Sequence, residues 1–379
     1  MIYLDNAATT PVRREVLEAM WPYLTGEFGN PSSHHEIGES AARALAAARE
    51  SIAVALGARA SDIVFTSGGT EADNLAVKGI ALANPRGRHI ITTAIEHEAI
   101  LESCAYLVRH HGFRVSEVPL GADGLVDPAE VERLIRPDTT LVTIMHANNE
   151  VGTVQPIEEI AAVVSRFGVP IHTDAVQSAG WLPVGLSTLG VDALSLSGHK
   201  LGAPKGIGLL AVRGTIPLEP VLHGGGQERG RRSGTENVAG IVGLAEALRL
   251  SSSIADSAGK VARIRDLIID GILDSVPGAL LTGSRRSRLP NSASFCFPGT
   301  SGEAVLLELE SHGIVVSSGS ACAAGSDEAS HVLVALGIEP EVAKTAVRFT
   351  LGSSIDEVDA ADLVTRVAEA VAALGSSRR

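Results

Sequence analysis

Asp192-Ala-Leu-Ser-Leu-Ser-Gly-His-Lys200-Leu-Gly-Ala-Pro-Lys-Gly-Ile-Gly208 is the stretch whose reading decides the rest. Ala193, Leu194 and Leu196 predict a short strand that ends in a turn carrying Lys200, with several glycines behind it. A lysine held by tight backbone at the mouth of a sheet can present its amine to an aldehyde. Taken alone, such a lysine is more often a solvated surface group. Asp174, in Pro170-Ile-His-Thr-Asp-Ala-Val-Gln-Ser178, reverses that reading because it too closes an apolar strand. A Schiff-base lysine with an aspartate partner for a pyridinium nitrogen is the pairing that pyridoxal phosphate requires.

Outward from this stretch, strand-like runs at 63–66, 89–93, 115–118, 141–146, 171–173, 193–197 and 208–212 alternate with helical patterns. That alternation predicts an α/β fold with a mostly parallel seven-stranded sheet covered on both faces. An extended arm ending at Thr10-Pro11 precedes helices over about 13–24 and 38–56. The texture changes near residue 250. Val261, Ile264, Ile268 and Ile272 share one helix face, and short strands follow around 292–297 and 314–317. The last helix opens with the capping-box pattern Ser354-Ile-Asp-Glu357 and carries the stripe Val364, Val367, Val371, Leu374. The expected division is a large domain over 13–253, and a smaller α+β domain of 254–379 that also receives 1–12. The Arg286 to Pro290 region is expected to be a surface loop.

The chain has 379 residues and a formal charge of −13, from 31 basic and 44 acidic side chains. Such a balance argues against nucleic acid or a membrane surface as direct ligand. Arg229, Arg231 and Arg232, and likewise Arg285, Arg286 and Arg288, read as solvated loops or anion contacts. The first residues lack a basic region followed by an apolar one, and no stretch has the length of a membrane span, so the expected location is the cytoplasm. Three cysteines without paired short spacing suit neither a disulfide framework nor a zinc site.

Each remaining chemical candidate follows a strand end, where open α/β sheets bind ligands. Ser67-Gly-Gly69-Thr70-Glu-Ala-Asp73 offers backbone amides and a helix N-terminus to a phosphate, although Thr70 and Asp73 also read as an ordinary capping pair. His97, just past a strand, could stack on a pyridoxal ring and relay protons, where a hydrogen-bonded loop histidine is the plainer alternative. Asn148-Asn149-Glu150 reads either as a turn or as polar contacts to cofactor and substrate. Asp174 would keep a pyridine nitrogen protonated, and Gln177 could donate to the phenolic oxygen. In the glycine- and arginine-rich loop 224–235, Thr235 could serve a phosphate, across a dimer.

Val316-Ser-Ser-Gly-Ser-Ala-Cys322-Ala-Ala-Gly-Ser326 is the most distinctive segment. A cysteine among small residues is expected to be exposed and mobile, whereas Cys104 in a helical pattern and Cys296 in an apolar strand read as packed thiols. Arg348, in Ala346-Val-Arg-Phe-Thr-Leu-Gly352, is costly on an apolar strand unless it meets a carboxylate, and its fork suits that of an amino acid.

Together these stretches resemble the cysteine desulfurases of the NifS/IscS group, fold type I pyridoxal-phosphate enzymes. The resemblance runs from Tyr3-Leu-Asp-Asn-Ala-Ala-Thr-Thr-Pro11 to Arg348-Phe-Thr-Leu-Gly352 and is most specific at Ser197-Gly-His-Lys200 and Ser317-Ser-Gly-Ser-Ala-Cys322. It implies pyridoxal 5′-phosphate bound through Lys200, with His97 over the ring, Asp174 at the pyridine nitrogen and Gln177 at the phenolic oxygen. Gly69, Thr70, Ser197 and His199 would hold the phosphate, with Thr235 reaching in from the second subunit of a homodimer. Asn149 and Arg348 would contact L-cysteine, and Cys322 would take its sulfur as a persulfide for an acceptor or iron–sulfur scaffold protein. The resemblance also offers Cys322 as an iron–sulfur cluster ligand; no other metal site is expected. Housekeeping relatives carry a longer C-terminal tail than Gly375-Ser-Ser-Arg-Arg379, which leaves tRNA thiolation, cofactor synthesis or DNA phosphorothioation open as destinations of the sulfur. The competing readings are a selenocysteine lyase, an aminotransferase of the same fold, and a non-catalytic sulfur- or cluster-binding platform.

Overall fold

Alternate residues of the central strands face opposite ways, and this sorts their apolar side chains into two cores. Ile63, Phe65, Ile91, Val142, Leu194, Leu196, Leu209 and Ala211 pack on one side of the sheet. Val64, Ile90, Leu141, Ala193, Leu210 and Val212 pack on the other. The computed structural model describes residues 1–318 and 328–376.

In chain order the strands are β1 Ile2–Tyr3, β2 Ile63–Thr66, β3 His89–Thr92, β4 Arg114–Glu117, β5 Thr139–Thr143 and β6 Ile171–Asp174. They continue with β7 Ala193–Ser197, β8 Gly208–Val212, β9 Leu280–Leu281, β10 Ser292–Cys296, β11 Ile314–Val315 and β12 Ala346–Thr350. The large sheet has seven strands in the order β2-β8-β7-β6-β5-β3-β4. Only β8 runs against its neighbours, being antiparallel to both β2 and β7. The C-terminal ends of the other six strands therefore meet the entrance to β8 along one edge. Helices Gly69–Ala83 and Glu98–His111 contribute to the second core, while Glu36–Ala55, Ile157–Ser165 and the start of Val238–Ser275 contribute to the first.

Helix Val238–Ser275 passes from the first core into another. Ile241, Leu244 and Leu248 belong to the large-sheet core. Val261, Ile264, Ile268 and Ile272, the predicted face, pack instead with Phe295, Val347, Phe349 and Val367. Its two parts, Val238–Ser251 and Ser253–Ser275, meet at 53°. This third core lies against the antiparallel sheet β12-β10-β9. Leu4 joins it, and β1 pairs in parallel with β11. Among the described residues no single helix is long and apolar enough to cross a membrane.

Three local expectations are corrected. The final helix, Glu357–Ser376, is capped by Asp356 rather than Ser354: its carboxylate accepts from the N–H groups of Val358 and Asp359 at 2.9 Å each, and Asp359 reaches back to the Asp356 N–H at 3.3 Å. An aspartate also favours the positive helix end. Thr70 and Asp73 form no cap, because Gly68 is the N-cap residue and Asp73 is buried one turn inside the helix. Of the arginines expected in a surface loop, Arg285 and Arg286 are exposed but Arg288 is buried. Its guanidinium donates to the carbonyls of Ser284, Val151 and Thr282, so backbone oxygens compensate its burial.

The glycine- and arginine-rich loop is pinned to helix Glu36–Ala55 by a buried ion pair and to β2 by a hydrogen bond. Arg49 grips both carboxylate oxygens of Glu228 at 2.8 and 2.6 Å, and Glu228 also accepts from the Phe65 N–H at 3.1 Å. Glu228 and Arg229 adopt φ of 50° and 59°, a region unfavourable to residues with a Cβ, which the ion pair helps to hold. Arg49→Ala would leave Glu228 charged and unpaired. Its expected cost is about 3–5 kcal/mol, measurable by urea denaturation.

Candidate active site

A cavity of about 490 Å³ opens at the sheet edge where the strand ends meet. Ten of the twelve residues expected at the site line it. They are Gly69 and Thr70 after β2, His97 after β3, Asn149 after β5, Asp174 and Gln177 at and after β6, Ser197, His199 and Lys200 at and after β7, and Arg348 on β12. Thr235 is exposed and does not line the cavity of its own chain. Cys322 lies outside the described residues.

Lys200 occupies a single 3-10 turn, Gly198–Lys200, which throws its side chain across the mouth of β7. Its ammonium donates to the Ala8 carbonyl at 2.7 Å and also to the Ala7 carbonyl. Gln177 donates to the same Ala7 oxygen at 3.1 Å. The sequence assigns neither alanine a role, because backbone acceptors leave no trace in residue type. His199 meets the Thr9 hydroxyl at 3.1 Å, and burial followed by the charges of Lys200 and Lys205 pushes its pKa down to about 4. It is therefore neutral at pH 7. The Nδ1 of His97 accepts from the Ala99 N–H at 3.1 Å, which leaves Nε2 as the ring nitrogen that carries a proton.

At the other wall, the turn between β2 and helix Gly69–Ala83 passes close to β7 and β8. A Cβ on Gly69 would stand 3.0 Å from Val176 and 3.3 Å from the Ser197 side chain; one on Gly208 would stand 2.6 Å from the Gly68 backbone. Glycine at both positions lets the helix N-terminus approach Ser197, leaving amides and a favourable dipole facing the cavity. Lys205, before β8, adds a positive charge there that the sequence reading did not single out.

The floor is acidic. Asp174 is buried and its carboxylate accepts from the Val176 N–H at 2.9 Å. Burial raises its pKa, and this is opposed by that hydrogen bond and by His97 and Lys200. Asp73, from the helix above, is raised further by burial and by Asp174. Glu96, buried and outside the cavity lining, accepts from the Thr93 hydroxyl at 2.7 Å and the Met145 N–H at 3.0 Å, yet burial pushes it up to about 8. A carboxyl whose folded pKa exceeds its unfolded value of about 4.3 loses its proton first in the unfolded chain. Stability attributable to Glu96 is therefore full at low pH and declines as pH rises toward about 8. Glu96→Gln should flatten that decline, as measured by thermal unfolding of the cofactor-free protein from pH 5 to pH 8.

The chain matches the family model described as aminotransferase class-V over residues 2–361. The chain belongs to the class-V aminotransferase family. Among its relatives, the protein named cysteine desulfurase IscS from Methanosarcina thermophila is 48% identical over 372 residues, covering 98% of this chain and 91% of that one. A solved NifS-like protein superposes with a TM-score of 0.91 at 39% identity, over 98% of this chain and 100% of its own. A structure titled SspA in complex with cysteine gives 0.81 at 39% identity, over 93% and 99%. Fold type I is the architecture of these relatives and of this chain.

Class-V aminotransferases depend on pyridoxal 5′-phosphate, and the residues present fit it. The cavity joins an amine, Lys200, to a carboxylate, Asp174, whose pKa is raised by burial; a pyridinium nitrogen is a cation such a buried carboxylate would pair with. The Gly68–Gly69 turn, which a Cβ would obstruct, supplies the anion cradle.

Proposed function

We propose that this class-V family member is a cysteine desulfurase, converting L-cysteine to L-alanine and passing the sulfur through Cys322. The observation that carries the reading is the meeting of Lys200, Asp174, His97 and Arg348 around one cavity. With pyridoxal phosphate bound through Lys200, the cofactor would supply an electron sink for the substrate's Cα–H bond.

The chain's own groups divide the remaining work. Asp174 would hold the proton on the ring nitrogen and Gln177 would donate to the phenolic oxygen. Gly69, Thr70, Ser197 and His199 would bind the phosphate. Arg348 and Asn149 orient the amino acid, while Lys200 and His97 move the proton at its Cα. The Cys322 thiolate attacks the substrate's sulfur; the C–S bond breaks, an S–S bond forms, and L-alanine leaves. Cys104 and Cys296 are unsuited to that step, since burial pushes their pKa values up to about 12 and about 11.

A homodimer is part of the proposal. Leu17, Trp21 and Leu24 recur on one face of helix Arg14–Leu24 and, with Phe28, are more than half exposed. Such a patch favours a protein partner, and Thr235 lies outside its own cavity, as a residue acting across subunits would. We assign the boundary between large and small domains to helix Val238–Ser275, near residue 253, and the protein to the cytoplasm, where a persulfide carrier needs reduced thiols. The names of the relatives support iron–sulfur assembly as a destination for the sulfur. The test is product analysis: L-cysteine with a reductant should yield alanine and sulfide in equal amounts. Formation of pyruvate instead of alanine would overturn the reading.

A further inference from the structure

Arg348 is fully buried on β12, and the carboxylate it meets within the protein is Asp5, 343 residues away in the N-terminal arm. Its Nη2 donates to Asp5 Oδ1 at 2.8 Å and its Nη1 to the Asn149 carbonyl at 2.9 Å. Each of these nitrogens carries a second hydrogen, so the guanidinium is fixed by one bond per branch while lining the cavity.

Asp5 is itself placed by backbone pairing. It bridges Thr350, two residues past Arg348, while the Thr350 N–H donates to Leu4 at 2.7 Å and the Ala7 N–H to the Thr350 hydroxyl at 2.9 Å. Tyr3 donates to the Asp5 and Thr9 carbonyls at 3.0 Å each, tying the arm to itself. From this anchored segment Ala7 and Ala8 turn their carbonyls to Lys200. The four-residue segment Asp5–Ala8 thus reaches two cationic side chains of the site, Asp5 the Arg348 guanidinium and Ala7 and Ala8 the Lys200 ammonium.

We propose that Asp5 is the positioning residue for Arg348, orienting one branch of its fork and offsetting its buried charge so that the other donors meet the carboxylate of the amino acid. This rests on the reading of Arg348 as the carboxylate site. Buried arginines keep a fixed geometry only when their hydrogen bonds are satisfied, and a charge-assisted bond of this kind is worth more than a neutral one. Without Asp5, Arg348 must either remain uncompensated or turn toward another acceptor. Binding of a carboxylate ligand suffers in both cases, whereas a ligand held only by its amine is unaffected.

The test compares L-alanine with L-alaninamide, which lacks the carboxylate, by titrating the visible absorption of the cofactor-loaded protein. The wild type should bind L-alanine roughly tenfold or more tightly than the amide, and Asp5→Ala should weaken L-alanine by roughly tenfold while leaving the amide unchanged. Asp5→Asn, which keeps a hydrogen-bond acceptor in place, should fall between them. If both Asp5 variants keep the wild-type preference while Arg348→Ala abolishes it, Asp5 has no positioning role. If Arg348→Ala keeps the preference, the assignment of Arg348 is itself wrong. Should Asp5→Ala fail to fold, Asp5→Asn decides: an unchanged preference sinks the proposal, and a threefold or greater loss confined to L-alanine supports it.

Discussion

Lys200→Ala lowers alanine formation from L-cysteine by roughly a thousandfold or more, the expected loss when a covalent catalytic group is removed. The turn that presents Lys200 depends on backbone bonds from Leu201 and Ala203 to Gly198, not on the lysine side chain, so the fold survives the substitution. The change should appear first in the visible absorption, because a cofactor bound without the lysine keeps a free aldehyde. The phosphate cradle at Gly69 and Ser197 is untouched, and the variant should still retain cofactor on dialysis. A Lys200→Ala protein with wild-type activity would remove the basis for every role proposed around it.

Cys322→Ala gives a different signature. Sulfide release in the presence of a reductant falls by about a thousandfold, while the visible spectrum and cofactor content stay at wild-type values. The controls are Cys104→Ala and Cys296→Ala. Both thiols are buried, with pKa values pushed up to about 12 and about 11, so neither replaces Cys322 as nucleophile and neither substitution should stop turnover. Full activity in Cys322→Ala would exclude a persulfide on this residue and turn the search toward lyase or aminotransferase chemistry. Loss of cofactor together with activity would instead mean that Cys322 supports the site rather than reacts in it.

Most of the large sheet and most of the cavity are legible in the residues alone. Strand propensity and period-two alternation act over four or five residues, and the runs at 63–66, 193–197 and 208–212 matched the observed strands without a shift. Because six strands run the same way, any polar residue just beyond such a run was already near its neighbours on other strands. Lys200, Asp174, His97, Asn149 and Gly69 were therefore legible together. The tertiary structure alone decided the pairings across distance. Nothing local in Asp5 marks it as the partner of Arg348, and nothing in Ala7 or Ala8 marks a carbonyl as the acceptor for Lys200. Arg288 read as a loop arginine because sequence shows its charge but not the backbone oxygens that enclose it. Likewise, Asp73 read as a capping residue because its spacing was helical, whereas the packing of that helix on β6 and β7 carries it into the floor of the site. Local pattern sets which element forms and where it ends. The partner of a buried charge is set by how the elements dock, through contacts between residues hundreds of positions apart.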